Sequence, residues 1–280
     1  NFKLVSINVS RFDANKHLAQ AVVGDAKVSL NELSIALGNW KAGEEWNKKS
    51  QKELKAWNEH VDKESAPSNQ EIPSYIQVIG AIYKNSDPTD IAVTAAGGLV
   101  GEVIQVWRPR ELNTHETEWG FSCMSYEISG ALGIKMANPD KEVISFVGDG
   151  SYLLNNTDIY SSVITNNKLI IIVCDNGGFA VINRLQLFKG GNEYNNLLKS
   201  SNTPGLVDVD FAKHAESMGA KSEHVNSISD LEEAFKRAKK SDVTYVISIK
   251  THAYQWLEGS AFWDSPTLEI PTTKENKEAL

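Results

Sequence analysis

The sequence contains little cysteine, no excess of positive charge and no long apolar segment. Two cysteines among 280 residues are too few for a disulfide framework, and the Cys and His spacing matches no zinc motif. The 36 Asp and Glu residues outnumber the 28 Lys and Arg residues, giving a net charge of −8, which disfavours nucleic acid as a partner. No apolar run approaches the roughly 18 residues of a membrane-spanning helix. These absences favour a cytoplasmic protein that binds neither nucleic acid nor membrane.

Two common phosphate-binding motifs are absent as well. The sequence has neither a glycine-rich Walker loop ending in Lys-Ser or Lys-Thr nor a G-x-G-x-x-G segment opening a helix. Hydrophobic residues make up 41% of the chain, which is ample for a buried core. A globular fold is therefore predicted, without either of these nucleotide-binding loops.

The order of apolar segments predicts an α/β fold. Two nearly continuous apolar runs, at 143–147 and 169–174, are typical of strands buried on both faces of a parallel sheet, and residues 157–164 can form the crossover helix between them. Strand and helix patterns alternate from residue 72 onward, which favours a doubly wound parallel sheet. The further predicted strands are 91–95, 220–223 and 243–249, and the further predicted helices are 75–83, 125–136, 208–218 and 230–240.

Polar residues follow the two most apolar strands. Gly148-Asp149-Gly150-Ser151 comes directly after the first, and Asn176 follows the second. Because parallel strands end at the same edge of a sheet, Asp149 and Asn176 should lie side by side there. One anionic and one neutral oxygen, completed by phosphate and water oxygens, suit Mg²⁺. With the amides of Gly150 and Ser151 and the Ser151 hydroxyl facing phosphate oxygens, the pattern predicts a magnesium diphosphate site.

This pattern resembles the diphosphate-binding motif of thiamine diphosphate (ThDP) enzymes. Two longer segments, 119–133 and 175–186, are similar to the acetolactate-synthase-like branch of these enzymes, and most similar to its trihydroxycyclohexane-1,2-dione hydrolases of inositol catabolism. The resemblance covers roughly residues 75–258. It implies ThDP and Mg²⁺ as cofactors, and hydrolysis of a carbon–carbon bond in a cyclic 1,2-dione as the reaction.

The resemblance also implies which residues contact the cofactor. Asp149, Asn176 and the backbone carbonyl of Gly178 correspond to the metal ligands. The Gly97-Gly98 loop corresponds to a second diphosphate contact, although a plain strand-to-helix turn fits it equally well. Ser122 and Met124 correspond to positions that cradle the aminopyrimidine ring, or else begin a core helix. The complete implied set is Gly97, Gly98, Leu99, Ser122, Met124, Gly148, Asp149, Gly150, Ser151, Asn176, Gly178 and Phe179.

The resemblance divides the chain into four parts. Residues 1–38, with a strand at 1–9 and a helix at 26–37 closed by Gly38, correspond to the end of a middle domain. Residues 39–71 are predicted to be a helical connector, 72–258 the ThDP/Mg diphosphate-binding domain and 259–280 a loose polar tail. The activating Glu of the family is expected on an N-terminal pyrimidine-binding domain of a neighbouring subunit. We therefore assign no catalytic residue to this chain and expect a homo-oligomeric parent protein, with the isolated chain inactive.

Two other functions remain open at this point. Another ThDP-dependent lyase or synthase, such as an acetolactate-type enzyme, would use the same ligands on a different small-molecule substrate. A non-catalytic ThDP-binding module is the alternative from another class. His115, Glu116 and Glu118 could face the substrate as acid or base groups, but a solvated loop is favoured for them. Arg184 could neutralise an anion or lie on a helix surface.

Overall fold

The computed structural model describes residues 3–68, 70–203, 205, 207–258 and 274. The chain divides into two compact units, Asn1–Trp57 and Asn58–Leu280. The tail predicted at 259–280 lies outside the described residues, apart from residue 274. Within the described residues, no helix combines the length and the apolar composition needed to cross a membrane.

The first unit contains a two-stranded parallel sheet, in which β1 (Val5–Asn8) pairs with β2 (Gln20–Val23). The connection between them holds α1 (Arg11–Ala14) and a single 3₁₀ turn. The helix predicted at 26–37 is confirmed as α2 (Ala26–Leu37), and it ends at Gly38 with φ of 53°, a left-handed conformation that favours glycine. Strand β2 was not predicted, because a four-residue strand with mostly exposed side chains has too short a sequence pattern.

The second unit is built on a six-stranded sheet in the order β4-β3-β5-β6-β8-β7, with every pair parallel. The central strands β5 and β6 are buried along nearly their whole length, as their apolar sequences predicted. The strands are β3 (Ile91–Thr94), β4 (His115–Thr117), β5 (Val143–Gly148), β6 (Ile170–Asp175), β7 (Lys221–Val225) and β8 (Tyr245–Lys250).

Helices cover both faces of this sheet. On one face α6, α8 and α10 share a buried core with β3, β5 and β6, while α4 packs against both α5 and α11. The predicted doubly wound α/β fold is therefore confirmed. Helix α3 (Glu44–Glu64) lies in the segment predicted to be a helical connector. The remaining helices are α4 (Tyr75–Asn85), α5 (Gly97–Val106), α6 (Tyr126–Ala137), α7 (Asp149–Leu154), α8 (Asp158–Ile164), α9 (Ala180–Phe188), α10 (Phe211–Ser217) and α11 (Ile228–Lys239).

Local side-chain bonds fix where the helices begin. Helix α4 starts with a capping box in which Ser74 Oγ accepts the Gln77 N–H at 3.4 Å and the Gln77 side chain accepts the Ser74 N–H at 3.0 Å. Helix α10 starts at Phe211 and not at 208, because Asp210 caps its first turn. The solvated loop favoured for residues 115–118 is wrong for its first three residues, which form the edge strand β4 beside β3.

Candidate cofactor site

The carboxyl ends of β5 and β6 form the centre of the candidate site. Gly148 at the end of β5 pairs with Cys174 near the end of β6, so the next residues leave the sheet at one edge. Asp149 is the first residue of α7 and is 5% exposed. Asn176 directly follows β6. The structure thus brings the two predicted side chains to neighbouring strand ends, where open α/β sheets bind their ligands.

Both side chains hold an oxygen without a partner. Asp149 Oδ1 and Asn176 Oδ1 are buried, and neither has a hydrogen-bond partner among the described residues. An unpaired buried polar atom costs about 1–3 kcal/mol, a cost that a bound cation would offset. The described residues contain no cluster of three or more His, Cys, Asp or Glu side chains fit to hold a metal. A cation here would need further oxygens from backbone, phosphate or water, which is how Mg²⁺ is commonly bound.

The electrostatics of Asp149 also suit a cation. Burial, and after it the negative charge of Asp175, raise the pKa of Asp149 to about 7, although the backbone N–H groups of Asn176 and Gly178 oppose the rise. The ionised carboxylate is therefore poorly compensated by the protein alone. A dication would supply that compensation.

Tyr75 determines how Asn176 is oriented. Asn176 Nδ2 donates to the Tyr75 hydroxyl at 2.5 Å, which leaves Oδ1 as the unpaired atom. The pKa of Tyr75 is raised well above its usual value, first by burial and then by nearby groups that include Cys174 and Asp149. No sequence motif predicted a role for Tyr75. No spacing signal indicates it, because it lies 101 residues from Asn176.

Asp175 is a neighbour of the site whose oxygens are already used. Its Oδ1 accepts the Gly177 N–H at 3.0 Å, and its Oδ2 pairs with Lys250 Nζ at 2.7 Å. Lys250 also pairs with Asp208 at 2.6 Å. Asp175 therefore shapes the turn after β6 and adds negative charge beside Asp149.

The loop from β6 to α9 depends on glycine. Gly178 has φ of 142°, and a Cβ there would collide with the carbonyl oxygen of Asn196. Phe179 N–H donates to that same oxygen at 2.7 Å. A Cβ on Gly150 would lie 2.6 Å from the Phe179 ring, so this ring packs directly over the start of α7. The predicted residues Gly150, Gly178 and Phe179 thus lie together at the strand ends.

The predicted Gly97-Gly98 contact lies at the end of β3, the strand next to β5. Gly97 has φ of 74° and opens α5, and a Cβ on Gly98 would lie 3.4 Å from Val181 of α9. Leu99 is 2% exposed, so its side chain is a core residue. This loop is a tight strand-to-helix turn, and the backbone amides at the start of α5 are of the kind that bind phosphate.

Ser122 and Met124 lie in a turn that precedes α6 and are not the start of a core helix. Ser122 has φ of 51°, and its Oγ donates to the Ala95 carbonyl at 3.1 Å. Glu118 holds this turn, because its carboxylate accepts the Phe121 N–H at 2.9 Å and the Cys123 N–H at 2.6 Å. These bonds, the Cys123 one first, lower the pKa of Glu118. Glu118 thus has a local positioning role.

The other polar candidates are partly enclosed. Burial lowers the pKa of half-buried His115, whose Nε2 has no partner among the described residues. Arg184 is half-buried on α9 and lies over the Trp256 ring, 4.8 Å from its centroid. The Ser151 hydroxyl donates to Glu127 Oε1 at 3.1 Å, so its proton is not free for the predicted phosphate contact, whereas its backbone amide can still serve.

Comparison with known proteins identifies the class. Residues 95–249 match the model of the thiamine pyrophosphate enzyme family, C-terminal TPP-binding domain, where TPP is another name for ThDP. The match covers more than half of the chain and includes the ends of β5 and β6. The chain therefore belongs to this family.

Within this family, the chain is similar to curated proteins that share one enzyme name. The chain is 34% identical over 286 residues to the 3D-(3,5/4)-trihydroxycyclohexane-1,2-dione hydrolase of Bacillus licheniformis, covering 94% of the chain and 45% of that protein. It is also 34% identical over 310 residues to the hydrolase of the same name from Geobacillus thermodenitrificans, covering 99% of the chain and 48% of that protein. The chain thus spans about half the length of the curated relatives it matches.

A solved structure supports the fold. The ThDP-dependent 4-hydroxybenzoylformate decarboxylase of Rhodococcus jostii RHA1 superimposes with a TM-score of 0.68 over 89% of the chain and 44% of the decarboxylase chain. The two sequences are 18% identical, so this similarity concerns architecture alone.

Proposed function

We propose that this chain is the ThDP- and Mg²⁺-binding C-terminal part of a longer cytoplasmic enzyme that hydrolyses a carbon–carbon bond of a cyclic 1,2-dione in myo-inositol catabolism. The observation that carries the cofactor assignment is the pair of buried, unpaired oxygens of Asp149 and Asn176 at adjoining strand ends. The hydrolase names of the relatives support the reaction.

Three groups of this chain would hold the metal. They are the Asp149 carboxylate, the Asn176 amide oxygen, and the backbone carbonyl of Gly178 in the loop after β6. The amides at the starts of α5 and α7 would meet the diphosphate, since helix N-termini attract anions. Together with the Asp149 carboxylate, the negative charge of the diphosphate would balance the positive charge of Mg²⁺.

The turn before α6 would hold the organic end of the cofactor. In this proposal Ser122 and Met124 cradle the aminopyrimidine ring, and Glu118 keeps their turn in position through its two backbone bonds. When bound, ThDP supplies a carbon nucleophile for ketone groups. The chain's own role is to bind and orient the cofactor, and the activating Glu is assigned to an N-terminal domain.

A neighbouring subunit is the proposed partner. An N-terminal pyrimidine-binding domain from that subunit would close the site in a homo-oligomer. The exposed apolar side chains of Phe121, Leu153 and Leu154 support this proposal, with exposed fractions of 90%, 54% and 63%. Exposed apolar side chains favour association with another protein surface where they form a contiguous patch.

The reaction is tested with the full-length protein that this proposal implies. The protein is supplied with ThDP, Mg²⁺ and either the inositol-derived cyclic dione or pyruvate, and products are identified by mass spectrometry. Ring opening of the dione without acetolactate formation is expected. Acetolactate from pyruvate, with the dione unchanged, would replace the hydrolase by an acetolactate-type enzyme. ThDP binding without turnover of either compound would favour a non-catalytic module.

A further inference from the structure

Glu127 is a buried carboxylate that the metal and phosphate contacts described above do not use. It lies in the first turn of α6 and is 1% exposed. Its Oε1 accepts two hydrogen bonds, from the Ala96 N–H at 3.2 Å and from Ser151 Oγ at 3.1 Å. Ser151 Oγ in turn accepts the Ser125 N–H at 3.2 Å. Glu127 Oε1 therefore joins the segments of Ala96 and Ser151 directly, and the Ser151 hydroxyl joins them to Ser125.

These three segments are the ones that the cofactor would contact. Ala96 directly precedes the Gly97-Gly98 turn, Ser125 follows the turn of Ser122 and Met124, and Ser151 lies in α7 two residues after Asp149. Neither helix α5 nor helix α7 has a side-chain cap, because the residues before them are Ala96 and Gly148. In place of a local cap, the Glu127 carboxyl group accepts hydrogen bonds from Ala96, just before α5, and from Ser151 in the first turn of α7.

The second oxygen of Glu127 takes no part in these bonds. Oε2 is buried, and no partner for it is found in the part of the chain that the structure describes. The connections between the segments therefore depend on Oε1 alone. Burial raises the pKa of Glu127, and the hydrogen bonds from the Ser151 hydroxyl and the Ala96 N–H oppose the rise.

We propose that Glu127 is a positioning residue of the cofactor site, which holds the Ala96 loop, the Ser125 turn and the start of α7 in the relative arrangement that ThDP requires. This inference rests on the proposed ThDP-binding function. It assigns Glu127 no contact with reacting atoms. Its action is exerted through the backbone N–H groups of Ala96 and Ser125 and the hydroxyl of Ser151.

Three variants of the full-length protein separate positioning from general stability. Glu127→Leu removes both oxygens, whereas Glu127→Gln keeps one oxygen to accept the bonds from Ala96 and Ser151. Ser145→Ala is the matched control, because Ser145 Oγ donates to the backbone carbonyl of Glu127 at 2.7 Å in the same buried region and takes no part in the bonds of the Glu127 carboxyl group. Thermal melting establishes that each variant is folded before it is compared.

The first readout needs no cofactor. Hydrogen exchange is followed in peptides that contain the amides of Ala96 and Ser125, since loss of a hydrogen bond speeds exchange. Glu127→Leu should exchange these amides about tenfold faster than the wild-type protein, and Glu127→Gln and Ser145→Ala should change them little. The second readout is calorimetric affinity for ThDP with Mg²⁺, which should fall at least about tenfold in Glu127→Leu and remain near the wild-type value in the other two.

The outcomes distinguish this inference from the function on which it rests. If the wild-type protein does not bind ThDP, the proposed function is contradicted. If the wild-type protein binds ThDP and folded Glu127→Leu binds it equally well with unchanged exchange, the positioning role alone is contradicted. A Glu127→Gln variant as weak as Glu127→Leu would also overturn it, because one acceptor oxygen suffices for the observed bonds.

Discussion

At the residue scale, the contact between Tyr75 and Asn176 selects which atom of the asparagine is left for a ligand. The Tyr75 hydroxyl takes the hydrogen bond of the amide nitrogen, so the amide oxygen remains unpaired beside Asp149. Replacing a group that orients a metal ligand in this way typically lowers metal affinity about 10- to 100-fold.

Tyr75→Phe removes this hydrogen bond and keeps the ring. We expect the Mg²⁺ affinity of the ThDP-loaded protein to fall about tenfold, because the amide of Asn176 is then free to rotate. Titration with Mg²⁺ at fixed ThDP measures the effect. Tyr245→Phe is the control, because Tyr245 lies at the start of β8 and its hydroxyl is hydrogen-bonded to Glu223 of β7. Equal Mg²⁺ affinity in Tyr75→Phe and wild-type protein would show that Tyr75 does not orient a metal ligand.

Residues on the strand ends could be predicted from sequence, whereas those that support them could not. Asp149 and Asn176 follow two apolar strands, and the parallel register of such strands places their ends together. Tyr75 and Glu127 act through contacts between segments far apart in the chain, 101 residues for Tyr75 with Asn176 and 31 for Glu127 with Ala96. Such contacts depend on how helices pack on the sheet, which no local pattern encodes.

At the element scale, α5 carries a buried carboxylate with a measurable effect on stability. Glu102 is 4% exposed and accepts the Leu257 N–H at 3.2 Å. Burial raises its pKa to about 7, while the Leu257 N–H and the charge of Arg184 oppose the rise. The folded protein thus keeps the proton at pH values where the unfolded chain, with an ordinary value of 4.5, has lost it. Stability should therefore fall as the pH rises from about 4.5 to about 7.

Glu102→Gln removes this pH dependence and keeps an oxygen for the Leu257 N–H. The melting temperature of Glu102→Gln should exceed that of the wild-type chain by a few degrees at about pH 8, and by less at about pH 5. Glu223→Gln is the control, because an ion pair with Arg237 lowers the pKa of Glu223. This substitution should therefore lower the melting temperature where Glu102→Gln raises it. A lower melting temperature for Glu102→Gln than for the wild-type chain at the higher pH would contradict the account.

The elements themselves differ in how far sequence predicts them. Helix α2 has the predicted bounds because Asp25 and Gly38 mark its two ends. Strands β2 and β4 were not predicted, because they are short and lack the alternation of apolar and polar residues that marks a longer strand. Helix α9 follows a glycine loop, and the glycines by themselves indicate only a turn. The start of the helix depends on a hydrogen bond from the Phe179 N–H to the carbonyl of Asn196, 17 residues further along the chain.

At the scale of the whole molecule, we propose that the chain supplies one side of a two-sided site. It spans about half the length of its relatives, and we assign the activating Glu to the other half. The isolated chain should therefore show no ThDP-dependent turnover of the dione, whereas the full-length protein should. A coupled assay of both at equal site concentration tests this division. Turnover by the isolated chain at the full-length rate would contradict it.

The central claim is that the ends of β5 and β6 bind ThDP through a divalent cation, and calorimetric titration tests it most directly. The full-length protein is titrated with ThDP, in Mg²⁺ and in chelator, as wild type, Asp149→Ala, Asn176→Ala and the surface control Asp242→Ala, whose side chain pairs with Lys221. Wild type and Asp242→Ala should bind ThDP only with Mg²⁺. Affinity should fall by more than about tenfold in Asp149→Ala and by less in Asn176→Ala, because the charged ligand contributes more to a hard dication. Unchanged affinity in Asp149→Ala, or equal binding of the wild-type protein in chelator, would contradict the account.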